Sequence, residues 1–253
     1  MQNIDQVLES LSEIIEETEK ENSVLGYFAV LYHRVTWKVK EGLETGYFED
    51  PKRMEKLDVV FAERYIDAYY NYKENLPVSK SWQRAFELAS DFWPITFQHL
   101  LIGMNAHINL DLGIAAAKVS EGRSIEELGD DFYRINRILA NLVEEVQHNL
   151  ATIWPPLRYI LKHTGQLDNL MTDFSMKLAR DGAWRFAQVL HKPGEKTYEE
   201  CIMERDIAVV KVADIITNHK PRIQLLLRLI RLGETGSVRY KIQKLKNRAE
   251  QGG

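Results

Sequence analysis

Residues 92–118, FWPITFQHLLIGMNAHINLDLGIAAAK, are apolar on nearly every side and still carry His99, Asn105, His107, Asn109 and Asp111. On a helix that advances about 100° per residue, His99, Gly103, His107 and Asp111 fall within about 120° of one another. Two imidazoles and a carboxylate therefore share one face beside a glycine, and Asn105 and Asn109 carry polar groups to the opposite side. A helix that is apolar all round is a buried one. An ionised carboxylate there costs several kcal/mol unless it meets a cation, a proton or several donors. The stretch is expected to be the buried central helix, about residues 94–118, of an all-α protein.

Working outward, Ile4, Val7, Leu8, Leu11, Ile14 and Ile15 repeat as the apolar stripe of an amphipathic helix with glutamates on its back. Asn22 and Ser23 are cap residues, expected to start a second helix over 24–44 that is rich in aromatics and holds His33 among apolar neighbours. Asp50-Pro51 opens a third, ending near Lys73, in which Glu63 and Asp67 lie one turn apart and Arg64 and Tyr65 are further polar candidates. Residues 79–90 form a fourth, and Pro94 is placed for the first turn of the central one.

Downstream, Asp130 or Asp131 is expected to cap a long helix that stops at Pro155-Pro156. Helices over 156–163, 167–191, 195–219 and 221–232 follow, punctuated by Gly165, Lys192-Pro193-Gly194 and Gly233. No alternating run supports a strand and no repeat is present. Short loops, mostly about two to eight residues, favour antiparallel neighbours around one core. The chain thus reads as a single-domain multi-helix bundle over 1–236, followed by a basic C-terminal tail over 237–253.

The bulk composition bounds the function. At 253 residues and 45% hydrophobic, the chain can bury a real core. A formal net charge of -4 argues against a nucleic-acid partner. The single Cys201 precludes an intramolecular disulfide and a zinc ribbon, and fits a reducing compartment. The first twenty residues have neither a basic start nor a continuous apolar run, and no segment reaches the ~18 uninterrupted apolar residues of a spanning helix. A cytoplasmic protein is expected, with a homo-oligomer left open. The charge is uneven: basic residues crowd the region 220–248, and Glu13, Glu16, Glu17, Glu19 and Glu21 of the first helix offer it an acidic partner. Acidic lipid, nucleic acid and a solvated helical tail are the alternatives.

The pattern H-x7-H-x3-D places His99, His107 and Asp111 as candidate metal ligands, since imidazole and carboxylate one turn apart can reach one ion. His33 and His148, with Glu63 and Asp67, are the candidates to complete the shell. Glu145 and His148 match the Glu-x-x-His element that di-iron bundles use twice, here in one copy. Zinc, iron or manganese would suit such donors. A single metal with an open position would acidify water, with Glu63 or Asp67 as general base, whereas a redox iron centre would bind dioxygen. Tyr27, Phe28, Tyr32, Trp37, Phe61, Tyr65, Trp93 and Phe97 would suit an apolar substrate.

The structural reading beside this one has Asp111 paired with an arginine and the histidines hydrogen-bonded across the bundle. No phosphate loop, nucleophile elbow or H-E-x-x-H is present. The expected function is a metal-dependent enzyme, hydrolytic or oxidative, acting on a small, partly apolar molecule. The alternative is a non-catalytic helical ligand-binding or interaction protein with a structural polar core. The first needs a solvent-reached cavity at Gly103 with bare nitrogens facing it; the second needs those nitrogens bonded to protein groups.

Residues 103–112, GMNAHINLDL, together with 61–65, FAERY, give the chain its resemblance to a bacterial family, a domain of unknown function, over roughly residues 28–187. The resemblance implies an all-helical protein and transfers no catalytic residue. The H-x3-D pair is also similar to that of all-helical zinc phospholipases and nucleases, but their fuller histidine and aspartate set is missing here.

Overall fold

The computed structural model describes residues 1–135, 138 and 176–246. Glu145 and His148, and the helices expected over 139–175, lie outside the described residues. Every regular element among the described residues is helical. They are α1 (Ile4–Glu21), α2 (Gly26–Glu44), α3 (Pro51–Lys73), α4 (Lys80–Glu87), α5 (Thr96–Ala106), α6 (Leu112–Val119), α7 (Met176–His191), α8 (Tyr198–Thr217), α9 (Pro221–Gly233) and α10 (Val238–Lys246). A π-helical turn, His107–Asp111, joins α5 to α6, so that one continuous helix runs Thr96–Val119.

By length and composition that helix could cross a membrane, but its most apolar window is entirely buried by its neighbours, the position of a core helix. α2, α3, α4, α7 and α8 surround it. The stripe of α1 packs as its period requires, with Val7, Leu11 and Ile14 fully buried. Each such side chain contributes about 1.5–3 kcal/mol relative to exposure. α1 is further tied to α3 by Lys73 with Glu17 and Glu21 at 2.9 and 2.6 Å.

Several helix starts differ from the sequence expectation. Asn22 ends α1 in the left-handed conformation, φ 55°, and does not begin α2, whose N-cap Leu25 has no side-chain cap. Asparagine is among the few residues that accept that conformation. Asp50 and Pro51 do open α3. Pro94 lies before the central helix, whose N-cap is Ile95; the first turn is held by the distant Glu234, which accepts from Thr96 N and Oγ1 at 2.9 Å. Asp206 does the same for α4, accepting from Lys80 N and Ser81 N at 2.7 and 2.9 Å. Asp131, expected as a cap of its own helix, accepts from Glu49 N and Asp50 N at the approach to α3. A carboxylate at a helix N-terminus satisfies open N–H groups and meets the positive end of the dipole.

The region read as a basic tail contains a packed helix. α10 buries Ile242 and Leu245 against α1 and α2, and its outer residues Arg239 and Gln243 reach Glu19 at 3.4 and 2.6 Å. Lys241 is also buried, paired with Glu234 at 2.7 Å. The acidic helix is thus the partner of this basic segment.

Candidate functional site

The π-helical turn sets the site. With i to i+5 hydrogen bonding the turn is wider than an α-helical one, so residues four apart stand more nearly above one another. His107 and Asp111 are such a pair, and His107 Nδ1 lies 3.2 Å from Asp111 Oδ2. The same oxygen accepts from Trp82 Nε1 on α4 at 2.7 Å, and Oδ1 accepts from Arg64 Nε on α3 at 2.6 Å. Three donors from three elements therefore meet the buried charge of Asp111. Burial pushes its carboxyl up, but the Arg64 charge and the hydrogen bonds from His107 and Trp82 outweigh it, and the net direction is down. Burial pulls His107 down more strongly than Asp111 raises it. The consistent state is an ionised Asp111 beside a neutral imidazole that donates from Nδ1, leaving the Nε2 lone pair bare.

Rings enclose that imidazole. Phe61 lies flat on it, with centroids 3.6 Å apart and 8° between planes, and Tyr32 meets it edge-on at 4.3 Å. Phe28, Trp82 and Tyr65 follow at 5.6, 6.0 and 6.1 Å. Among the described residues, His107 Nε2, Tyr65 Oη and Asp58 Oδ2 are buried without a hydrogen-bond partner. Each unsatisfied polar group of this kind costs about 1–3 kcal/mol. Burial, then the charge of Glu55, pushes the Asp58 carboxyl up from its ordinary 3.8 to about 8. Asp58 and Asp111 in turn add to the burial that raises the Tyr32 phenol.

The sequence candidates separate into distinct surroundings. His99 lies edge-on to Tyr27, and burial together with the charges of Arg231 and Lys241 pulls it to about 3. His33, half-buried on α2, is lowered by burial and by Lys246. Glu63 and Asp67 line a cleft of about 350 Å³ between α3, α4 and α6, together with Arg64, Asn71, Trp82 and Lys118. Burial and the charge of Glu63 raise Asp67 there, while Glu63 pairs with the amino group of Met1. The cleft is divided from His107 by Arg64 and Trp82, whose polar ends hold Asp111.

Gly103 opens no cavity. A Cβ at that position would meet Phe28 Cγ at 2.7 Å, and the space left beside His99 and Gly103 is about 20 Å³, enough for one water. Among the described residues no cluster of three or more His, Cys, Asp or Glu is placed to hold a metal ion, and His148 lies outside them. Asn105 and Asn109, on the far face, anchor the central helix to α8: Asn105 Nδ2 donates to Val209 O, and Arg205 Nε donates to Asn109 O at 2.7 Å.

The sequence matches the family of unknown function DUF5995 over residues 4–219. The chain belongs to that family. The match extends beyond residues 28–187 at both ends and covers every residue of the His107 cluster. No curated protein and no solved structure matches the chain.

Two members of the cluster were absent from the sequence candidates. Asp58 had a signal: it occupies the apolar stripe of α3 with Met54, Leu57, Ala62 and Tyr65, all buried, and an acid on such a stripe is out of place. Trp82 had a weaker one. A buried indole needs an acceptor for its N–H, but nothing in the order of residues names Asp111 as that acceptor.

Proposed function

We propose that the chain is an enzyme for a small, partly apolar molecule, with His107 as its base and Asp111, Arg64 and Trp82 as positioning residues. One observation carries this reading: Nδ1 of His107 is committed to a carboxylate while Nε2, buried among rings, has no partner among the described residues. An imidazole held in one tautomer by an acid is the arrangement of a general base, because the carboxylate fixes the ring and stabilises the imidazolium that forms. In the proposed step Nε2 takes a proton from substrate or water, and Asp111 stays ionised, held by Arg64 and Trp82. Asp58, kept protonated at neutral pH by burial, is the matching acid, since groups whose environments push their titration apart divide into acid and base roles. The surrounding rings suit an apolar substrate, and entry from the neighbouring cleft would require Arg64 and Trp82, which divide it from His107, to move aside.

A divalent metal, zinc, iron or manganese, would use the same nitrogen, because a metal-bound histidine usually gives its other N–H to a carboxylate. His107 Nε2 would be its donor in this cluster, with Asp111 as the orienting acid. Such an ion would acidify a bound water or bind dioxygen. The non-catalytic alternative is supported by the closure of the site: His107 is 2% exposed and Phe28 fills the space at Gly103.

The test is elemental analysis of untagged protein with an ester, amide and oxidation screen, run on wild type, His107→Gln and Asp58→Asn. Turnover that falls by at least about a hundredfold in His107→Gln supports the base. Metal bound stoichiometrically and lost in the same variant supports the metal form. No turnover, no metal and unchanged or higher stability in His107→Gln would make the cluster a structural core.

A further inference from the structure

α9 presents two apolar faces. Ile223, Leu227 and Ile230 face the bundle, as their period requires. On the opposite side Leu225, Leu229 and Leu232 are 61%, 58% and 65% exposed, although they recur at helical spacing and lie within about 60° of one another. Scattered exposed leucines need no account, but three in a row on one face do. Arg222 and Arg228 flank this stripe, each about 60° to one side of Leu225. Neither forms an ion pair with a carboxylate among the described residues, whereas Arg231, deeper on the same helix, is paired with Glu234. Arg228 lies over the ring of Trp93 at 4.9 Å and Arg231 over that of Phe92 at 4.7 Å. The two rings, 44% and 59% exposed, continue the apolar surface beyond the arginines.

We propose that the outer face of α9, with Phe92 and Trp93, docks on the surface of an anionic lipid bilayer. Leucines flanked by arginines that pair with no carboxylate among the described residues, with a tryptophan at the border, match the layers of a bilayer surface: acyl chains below, anionic headgroups around, and the interfacial zone that indole prefers. A second copy fits less well. A two-fold contact sets a patch against itself, and here that would bring Arg222 and Arg228 against the same arginines of the other copy. The rest of the molecule has no charge reason to meet lipid, since the chain as a whole carries -4. The attraction is local to this face, and the proposal is independent of the chemistry at His107.

The test is co-sedimentation of the full chain with vesicles of phosphatidylcholine alone and with phosphatidylserine at about one third of the lipid. The variants are Leu225→Glu/Leu229→Glu and Arg222→Glu/Arg228→Glu; all four positions lie on the outer face of α9, and circular dichroism verifies the fold. The expected result is sedimentation with the serine-lipid vesicles only, weakened by salt and reduced at least about tenfold in both variants. Equal sedimentation with both vesicles, or with neither, overturns the proposal. So does concentration-dependent self-association in light scattering that the leucine variant abolishes, which would assign the face to a second copy.

Discussion

Trp82 shows how much of the site rests on one hydrogen bond. Its indole is buried against Phe28, Tyr65, Phe86 and His107, and its N–H is one of the three donors to Asp111. Trp82→Phe keeps most of the apolar volume and removes that donor. Because the acceptor is an ionised, buried carboxylate, we expect a loss of about 1.5–3 kcal/mol in urea unfolding. The imidazole should remain neutral at pH 7, since burial is the first cause of its depression; nitrogen chemical shifts of the His107 ring measure this directly. The sequence made Asp111 a carboxylate in need of partners and supplied Arg64 among the polar candidates. It did not point to Trp82, because the pairing runs across the bundle and leaves no local period.

At the scale of elements, close packing and remote caps hold the central helix. Phe28 of α2 reaches the backbone of α5 only because residue 103 has no side chain. Gly103→Ala should cost about 1–3 kcal/mol by overpacking. Phe28→Leu in the same chain should recover part of that loss, a coupling that a double-mutant cycle in chemical denaturation measures. The start of α4 depends on a residue far along the chain: Asp206 accepts from Lys80 N and Ser81 N. Asp206→Ala should cost about 1–2 kcal/mol and speed hydrogen exchange in the first turn of α4 before the rest of the fold. Element type was legible wherever the apolar period was long, as in α1 and α3, because the 3.6-residue stripe is a local property. Starts were less legible. Pro94, Asn22 and Asp131 carry real cap chemistry, but the distant Glu234 accepts from the open N–H of Thr96, Asn22 closes α1, and Asp131 accepts from Glu49 N and Asp50 N at the approach to α3.

For the whole molecule, the buried titratable groups set how stability varies with pH. Burial holds the Asp58 carboxyl up at about 8, so the folded chain keeps a proton that the unfolded chain releases near 3.8. Between those values the native state binds more protons, and stability falls as pH rises. His99, held down to about 3 by burial, Arg231 and Lys241, acts with the opposite sign between about 3 and its ordinary 6.5, where the unfolded chain takes up the extra proton. The two slopes oppose each other below 6.5, and of these two the Asp58 slope alone continues from there to about 8. We expect stability to fall across that upper window by up to about 1.4 kcal/mol per pH unit. Asp58→Asn should flatten it, as thermal melts at a series of pH values would show. What the sequence by itself determined is the helical class, the buried central helix and the need to compensate Asp111, because amphipathic period and the cost of a buried charge are read from residue order alone. Only the tertiary structure decided the rest: that His99 and His33 lie apart from the His107–Asp111 pair, that Phe28 closes Gly103, that α10 packs on the acidic helix and that α9 keeps an apolar face outside. These are matters of which helix stands beside which, and the period of a helix says that it has an inner face without saying what that face meets.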